Sequence, residues 1–373
     1  MQDLLIKFPH LPEQIFQKLD NESLVKCREV KRSWQHKIDE RNYPWLRIVR
    51  IPQISIWRNS YLHIAATAGQ IEALKTALNE EGDINIKNEH EATAFHAACN
   101  NGRSEIVALL IKQPDLDVNA KSKFDSTVFQ MACNKGHSGV VKILMKNAAV
   151  LNIDLDTKNC FYGGWTAFHL ACLRGRLDVV KMFMKNAAAS RINLNSENNQ
   201  SETAFHLACQ RGHLDVVKIF MEKATILSIN LNRTGKYGFT AFHLACQRGH
   251  TNVVKLLMEN AVDFSFNLNR KENHGATAFH LACQRSHTNV VKLFMENAEA
   301  LRINLDKKCI NGGKAFHLAC RKGRSDVVKI FMENAATLSI DLNSENNQIE
   351  TAFQLACQRC GQNFHGESNH FKH

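Results

Sequence analysis

Residues 203–224 read TAFHLACQRGHLDVVKIFMEKA, and nearly the same stretch returns at 166–187, 240–261 and 277–298. Weaker copies extend the pattern in both directions, and the phenylalanine in its third position marks the spacing. Successive phenylalanines lie 34, 39 and then five times 37 residues apart, and Leu62 precedes the first of them by 33. This regular recurrence predicts an array of about nine repeats instead of separate globular domains. The phenylalanines are Phe95, Phe129, Phe168, Phe205, Phe242, Phe279, Phe316 and Phe353.

Each repeat has the pattern of two short antiparallel helices and a loop. Thr203 suits an N-cap, because its hydroxyl can accept an N–H of the first turn, and Gly212 suits the left-handed residue that ends the first helix. Apolar residues spaced three and four apart from Val216 onward predict a second helix with one buried face. So short a pair cannot bury its apolar face alone and must stack on its neighbours. The sequence therefore predicts an all-α solenoid of helix-turn-helix-loop units.

These residues resemble the ankyrin repeat, whose TPLHxAAxxGH and VVxxLL patterns match TAFHLACQRGH and VVKIFM. The resemblance covers residues 59–361, with a ninth unit left incomplete because no VVK helix follows Arg359. Alanine or valine replaces the usual proline, as at Ala94, Val128 and Ala204. Most repeats also carry four more residues than the usual 33, which amounts to about one helical turn. We therefore expect the second helix to be one turn longer than in the family pattern.

The first 58 residues differ in composition from the rest, since they hold three of the four tryptophans and four of the five prolines. Residues 9–38, PHLPEQIFQKLDNESLVKCREVKRSWQHKI, predict three short helices with an apolar seam. Their LPxxI, SL and VxxxW elements resemble an F-box. We interpret residues 1–58 as an F-box-like helical domain with its linker, and residues 362–373 as a polar tail.

An F-box joined to a repeat array resembles the substrate receptor of an SCF-type cullin-RING ubiquitin ligase. The resemblance implies that the F-box docks on a Skp-type adaptor, and through it on the cullin complex, while the repeats bind the target protein. One alternative is that the segment only forms a helical cap over the first repeat. Another is an ankyrin scaffold without a degradation role, which co-purification with a Skp adaptor would distinguish. The implied adaptor-binding residues are Leu11, Pro12, Ile15, Leu19, Leu24, Val30 and Trp34.

In ankyrin folds the loop fingertips and the variable residues before the helix-ending glycine line the target-binding groove. The second of those variable residues is a cation in seven consecutive repeats, from Lys135 to Arg359. A row of cations predicts an acidic or phosphorylated protein partner. The alternative is that duplication copied one solvated arginine several times. The predicted groove residues are Arg174, Arg211, Arg248 and Arg285, with Trp165, Tyr237 and Phe239 at the fingertips.

The abundant cysteines and histidines suggest catalysis or metal binding, but their recurrence at fixed repeat positions favours a structural role. Eight cysteines share one repeat position where a small apolar residue is needed, so we expect them in the core. Seven histidines follow the N-cap by three residues, and no catalytic partner recurs beside them, so we expect no enzyme, no catalytic residue and no cofactor. Cys357, Cys360, His365 and His370 have zinc-ligand spacing, but an altered end of the array is the alternative that we favour. The eight cysteines are Cys99, Cys133, Cys172, Cys209, Cys246, Cys283, Cys320 and Cys357.

Composition limits the remaining classes. No run approaches the roughly 18 apolar residues of a membrane span. The start, MQDLLIKFPH, turns polar too early for a secretory leader, so the thiols are expected to stay reduced, in the cytoplasm or also the nucleus. The net charge of +11 is interspersed with acids such as Asp215, Glu222 and Glu259, which disfavours a nucleic-acid partner.

Overall fold

The computed structural model describes residues 60–81, 83–161 and 163–357. The described residues up to 161 form one compact body and those from 163 onward form a second, and each is described by itself. The predicted adaptor-binding residues and the boundaries drawn at 58 and 361 lie outside the described residues. The described chain consists of helices, turns and isolated β-bridges, as the repeat pattern predicts.

The first body contains three helix pairs. They are α1 (Tyr61–Ala68) with α2 (Ile71–Glu81), α3 (Ala94–Asn100) with α4 (Ser104–Leu110), and α5 (Val128–Lys135) with α6 (Ser138–Asn147). Within each body, the first helix of a repeat packs on the first helix of the next repeat, and second helices pack likewise. Each helix therefore buries one face on its partner and its flanks on neighbouring repeats.

The second body continues the same arrangement through five complete pairs. They are α7 (Ala167–Leu173) with α8 (Leu177–Asn186), α9 (Ala204–Arg211) with α10 (Leu214–Lys223), α11 (Ala241–Arg248) with α12 (Thr251–Glu259), α13 (Ala278–Arg285) with α14 (Thr288–Asn297), and α15 (Ala315–Arg321) with α16 (Ser325–Asn334). Residues 352–357 are again helical at the end of the described chain.

The extra residues of the longer repeats lie at the end of the second helix. Helix α10 has ten residues, against seven in α4 but eleven in α2 of the 33-residue first repeat. The prediction that the second helix is one turn longer in the longer repeats was therefore wrong as a general rule. A closing turn follows, in which Ser228 takes a left-handed φ of 51° and the N–H of Ile229 bonds to the carbonyl of Ala224 at 2.8 Å. This six-to-one bond satisfies a carbonyl that the end of the helix would otherwise leave free.

Phenylalanine rings connect the repeats through the core of the second body. The Phe168 ring lies 5.1 Å from that of Phe183 in its own repeat and 5.7 Å from that of Phe220 in the next, centroid to centroid. Phe205 continues the series at 5.3 Å from Phe220. These rings are fully buried, and burying an aromatic side chain contributes about 1.5–3 kcal/mol. The phenylalanine ladder therefore fastens each repeat to the next.

Seven of the eight predicted core cysteines are buried, as expected from their repeat position. Burial raises the pKa of the Cys320 thiol to about 11 and raises that of the others further. The prediction was wrong for Cys357, which is exposed together with Phe353 of the same unit. Within the described residues no repeat follows the ninth, so nothing packs over these two side chains.

Asparagine side chains join the loops of adjacent repeats. The Asn195 amide donates to the carbonyl of Ser228 at 3.0 Å, and its oxygen accepts the N–H of Asn230 at 2.9 Å. Asn232 donates in the same way to the carbonyl of Phe264 at 2.8 Å. Each amide thus satisfies polar backbone groups of the following loop. Asn269 repeats both bonds one repeat later.

The seven histidines that follow each N-cap by three residues, which we call the cap histidines, bond to the cap residue. Thr240 Oγ1 accepts the N–H of His243, and His243 Nδ1 accepts the N–H of Thr240, both at 3.3 Å. His243 Nε2 lies 3.0 Å from the carbonyl oxygen of Arg270 in the next loop. Because a carbonyl only accepts, we assign the imidazole proton to Nε2. Other imidazoles facing the cap residue through Nδ1 are His63, His96, His169, His206, His280 and His317.

Burial keeps these imidazoles neutral. Removal from water lowers the pKa of His96, His206, His243 and His280 to about 4. Gln130 replaces the histidine in the third repeat and makes the same bonds without a titratable group: its Oε1 accepts the N–H of Thr127 at 3.1 Å. Its Nε2 donates to the carbonyl of Thr157 at 2.7 Å. His63, His169, His243 and His317 also reach a carbonyl of the next loop through Nε2, whereas Nε2 of His96, His206 and His280 has no hydrogen-bond partner among the described residues. The common requirement of the position is therefore the acceptor at the N-cap, and no charge is needed.

These pKa values predict a loss of stability in mild acid. The folded pKa near 4 lies below the unfolded value of about 6.5, so the stabilising contribution is complete above pH 6.5 and falls away toward pH 4. At pH 5.5 each such histidine should cost about 1.4 kcal/mol of unfolding free energy. Replacing His206, His243 and His280 by glutamine should remove about 4 kcal/mol of the difference between pH 7 and pH 5.5, measured by urea unfolding. An unchanged pH dependence in this triple variant would show that the cap histidines are not its source.

Candidate protein-binding surface

The predicted cations lie at the C-terminal ends of the first helices. Arg211, Arg248 and Arg285 are the last residues of α9, α11 and α13, while Arg174 and Lys322 directly follow α7 and α15. All five are exposed. The first helices pack side by side, so these residues form a row along the second body, which we call the cationic row. A cation at a helix C-terminus also interacts favourably with the helix dipole.

The three central members of the cationic row are not neutralised. Arg211, Arg248 and Arg285 form no ion pair or hydrogen bond with any residue that the structure describes. The acidic residues expected to dilute the charge lie elsewhere. Glu259 pairs with Lys255 at 3.8 Å within the second helix α12, and Glu333 pairs with Lys329 at 3.9 Å within α16. The guanidinium groups therefore remain available to a ligand.

An imidazole from the following repeat fixes the helix end that carries each of these arginines. His250 Nε2 donates to the carbonyl of Gln210 at 2.9 Å, which satisfies one of the free carbonyls at the end of α9. The same ring lies against Gly212, whose φ is 73°, and a Cβ there would come within 2.4 Å of His250 Nδ1. We call this arrangement the glycine–histidine clamp. It recurs with His213 on the carbonyl of Leu173 and with His287 on that of Gln247.

The clamp was not predicted from the sequence, although a signal for it is present. Glycine and histidine occur 38 residues apart in three successive pairs, and both residues change together in the next pair. There Ser286 replaces the glycine and Arg324 replaces the histidine, with Arg324 Nε donating to the carbonyl of Gln284 at 3.0 Å. Ser286 keeps a left-handed φ of 64°. The packing is consistent with this linked replacement, since a Cβ at the glycine position would meet the imidazole at 2.4–2.6 Å, whereas a Cβ at Gly69 would lie 3.0 Å from Cδ of Arg103, which stands at the histidine position there.

The predicted fingertip aromatics differ in how far they reach solvent. Tyr237 is 52% exposed, with Lys236 Nζ 5.7 Å from the centre of its ring. Phe239 is half-buried and packs edge-on against the ring of the cap residue His243 at 6.0 Å. Trp165 is also half-buried. Of the three, only Tyr237 is an exposed aromatic. It lies before the start of α11, at the opposite end of that helix from Arg248.

The fingertips of the first body carry aromatic residues that the sequence analysis did not select. Phe124 and Phe161 are 39% and 64% exposed, and their rings meet edge-on at 5.4 Å. His90 stacks on Phe124 at 6.4 Å. The available signal was an aromatic residue three to five positions before successive N-cap threonines, Thr93, Thr127 and Thr166.

The described residues offer no metal centre and no membrane helix. No cluster of histidine, cysteine, aspartate and glutamate among them could hold a metal ion. Of the predicted zinc-spaced residues only Cys357 is described, so that alternative stays a prediction. Within the same part of the chain, no helix has the length and apolar character needed to cross a membrane.

The fold is that of a helical repeat protein, with stacked helix pairs, hydrogen-bonded loops and an exposed row of side chains. This architecture is typical of proteins that bind other macromolecules. The chain belongs to the ankyrin-repeat family. The family model for ankyrin repeats (3 copies) matches residues 62–159, 114–197, 149–233, 189–269, 223–308 and 264–346. The human ASB11 ankyrin repeat domain is a similar solved structure, with a TM-score of 0.51 and 24% identity, over 60% of this chain and 92% of that one. At that identity the likeness shows the fold alone. No curated protein matches the chain.

The clamp predicts that Gly212 tolerates no side chain. Gly212→Ala should lower the unfolding free energy by about 2 kcal/mol or more, since it combines a left-handed φ with a collision against His250. The matched control is Ser286→Ala, which keeps an existing Cβ and should cost less than about 0.5 kcal/mol. Adding His250→Ala to Gly212→Ala should recover part of the loss in a double-mutant cycle measured by urea unfolding. Equal effects of the two alanine variants would contradict the clamp.

Proposed function

We propose that the second body binds an extended acidic segment of a partner protein along the cationic row. The observation that carries the proposal is that Arg211, Arg248 and Arg285 occupy one position on adjacent helices, exposed and without a carboxylate partner in the described chain. Guanidinium groups bind carboxylates and phosphates through paired, charge-assisted hydrogen bonds. An acidic or phosphorylated ligand would also relieve repulsion between neighbouring arginines.

The spacing of the row favours a particular ligand shape. Packed helices lie about 8–10 Å apart, so successive cations should be separated by about that distance. A peptide in the polyproline II conformation has three residues per turn and advances about 3.1 Å per residue, so every third side chain returns to the same face at about 9 Å. We therefore propose a partner segment with acidic or phosphorylated residues at every third position. A segment of this kind could contact each arginine in turn without bending.

The wider role that we propose is that of a substrate receptor in an SCF-type ubiquitin ligase. Support for it comes from the resemblance of residues 9–38 to an F-box, joined to an array suited to holding a target protein. The repeats would bind the target and the N-terminal segment would bind a Skp-type adaptor and its cullin, in the cytoplasm or the nucleus. The second candidate is an ankyrin scaffold without a degradation role, which the family membership alone supports.

We also propose that the chain has no enzymatic activity of its own. The cap imidazoles are buried and bond to the N-cap residue through Nδ1, and burial lowers the pKa of His96, His206, His243 and His280 to about 4. Burial raises the pKa of the core thiols above the range in which a thiolate forms near neutral pH. Neither set therefore offers a reactive group to solvent.

Charge reversal tests the cationic row. Arg211→Glu, Arg248→Glu and Arg285→Glu together should weaken binding of a labelled 15-residue peptide with glutamate at every third position by more than tenfold, or about 1.4 kcal/mol. Fluorescence anisotropy measures the affinity. Binding to the unmodified chain should also weaken as salt rises, because exposed charges are screened beyond about 8 Å at physiological ionic strength.

Matched controls separate the position of the charge from its amount. Lys218→Glu, Lys255→Glu and Lys292→Glu make the same charge change on the second helices of the same three repeats and should alter the affinity far less. A peptide with the same glutamates gathered in one block should bind more weakly than the spaced peptide. Equal loss in both triple variants would mean that the arginines are copied surface residues, and the fingertips around Trp165, Tyr237 and Phe239 would become the better candidates.

The N-terminal segment is tested separately. Leu11→Ala with Pro12→Ala should abolish co-purification of the full chain with a Skp-type adaptor, because these residues are the implied adaptor anchors. The helical circular dichroism of the array and its binding of the acidic peptide should not change. If the double variant retains the adaptor as strongly as the unmodified chain, these residues are not the anchors. If the unmodified chain itself fails to bind the adaptor, the scaffold function is favoured.

A further inference from the structure

The phenylalanine ladder of the second body is interrupted in the sixth repeat. Elsewhere in this body the second helices place Phe183, Phe220, Phe294 and Phe331 in the ladder, but α12 has Leu257 at that position. Phe168 and Phe279 each contact a ring in their own repeat and one in the next, as Phe279 does with Phe294 at 5.2 Å and Phe331 at 5.7 Å. Phe205 lacks the forward contact, and Phe242 lacks the contact within its own repeat.

A pocket of about 220 Å³ that opens to solvent borders Leu257, the residue at the position of the missing ring. Phe205 and Leu257 are only 1% exposed, so the pocket extends from this position toward the exposed loop residues Ser265, Asn267 and Arg270. Phe205, Phe242, Phe266 and Leu257 form much of its apolar lining. Phe266 stands where the adjacent repeats have isoleucine, but its ring stacks on that of Phe264 at 5.8 Å and leaves the gap open. A buried apolar cavity of about 150 Å³ is known to accept benzene. The pocket therefore has room for a phenyl ring with a short substituent.

An unpaired cation lines the same pocket. Arg270 contributes to the lining, is exposed, and forms no ion pair or hydrogen bond through its guanidinium with the described residues. The equivalent Arg233, one repeat earlier, pairs with Glu197. The residue equivalent to Glu197 that would pair with Arg270 is Thr234, which carries no charge. Two substitutions thus leave an apolar hole and a free guanidinium beside each other.

We infer that this pocket binds a small aromatic carboxylic acid, with the ring against Phe242 and Phe266 and the carboxylate on Arg270. The ring would give Phe242 an aromatic contact in place of the one that its own repeat does not supply. The carboxylate would replace the acid that Thr234 does not supply. The site is separate from the cationic row: Thr240, which also lines the pocket, caps the start of α11, whereas Arg248 ends that helix. At about 1.5 Å per residue, the two ends are about 12 Å apart.

The test is a calorimetric titration of the full chain with 3-phenylpropanoate. The unmodified chain should bind with one-to-one stoichiometry. Leu257→Phe, which restores the residue used in the neighbouring repeats, should weaken binding at least tenfold and raise the unfolding temperature. Arg270→Gln should weaken 3-phenylpropanoate at least fivefold while leaving the uncharged 3-phenyl-1-propanol unaffected. Arg233→Gln, at the equivalent paired position, is the matched control and should change neither affinity.

Several outcomes would overturn the inference. One is the absence of saturable binding up to the solubility limit of 3-phenylpropanoate. Another is undiminished binding by Leu257→Phe, which would locate the ligand elsewhere. Equal affinity for 3-cyclohexylpropanoate would show that the site takes any apolar acid and would exclude the aromatic class. If Leu257→Phe fails to fold, Arg270→Gln still tests the inference. That variant must lose the preference for 3-phenylpropanoate over 3-phenyl-1-propanol.

Discussion

Stacking of one helix pair on the next is the contact on which this chain depends. A repeat of about 37 residues cannot enclose an apolar core, so its phenylalanines, valines and cysteines are buried only when neighbouring repeats cover them. The exposed Phe353 and Cys357 illustrate this constraint, because they belong to the unit that no described repeat follows. The cationic row also results from stacking, because stacked repeats place the same type of side chain at the same position in each repeat.

Stacking also buries polar backbone groups, and side chains of adjacent repeats satisfy them. Several cap imidazoles reach the next loop, asparagine amides join successive loops, and clamp imidazoles bond to the ends of preceding helices. Histidine is abundant in this chain because one ring can accept at one end and donate at the other. The same burial that makes these bonds strong removes the charge from the cap imidazoles. The histidines that suggest catalysis in the sequence thus have a structural role where adjacent repeats meet.

Some departures from the repeat occur in matched sets. Ser286 accompanies Arg324, and Lys314, which replaces a cap threonine, places its ammonium 2.9 Å from Asp306 and 3.7 Å from Asp341. Both carboxylates stand where neighbouring repeats have asparagine, so one substitution offsets another. The sixth repeat differs, because Leu257 and Thr234 each remove a partner and no described residue replaces it. An uncompensated departure in an array of near copies is therefore a useful guide to a site.

The sequence by itself determined the helix pairs, their boundaries and the identity of most core residues. These follow from local rules, since Thr240 begins a helix and Gly249 ends one through bonds made within a few residues. Only the tertiary structure decided which polar side chains bridge repeats, which fingertips reach solvent and where the core is left open. Each of these depends on side chains about 37 residues apart meeting in space. Such contacts have no local signature, and the sequence reveals them only through linked replacements such as Ser286 with Arg324.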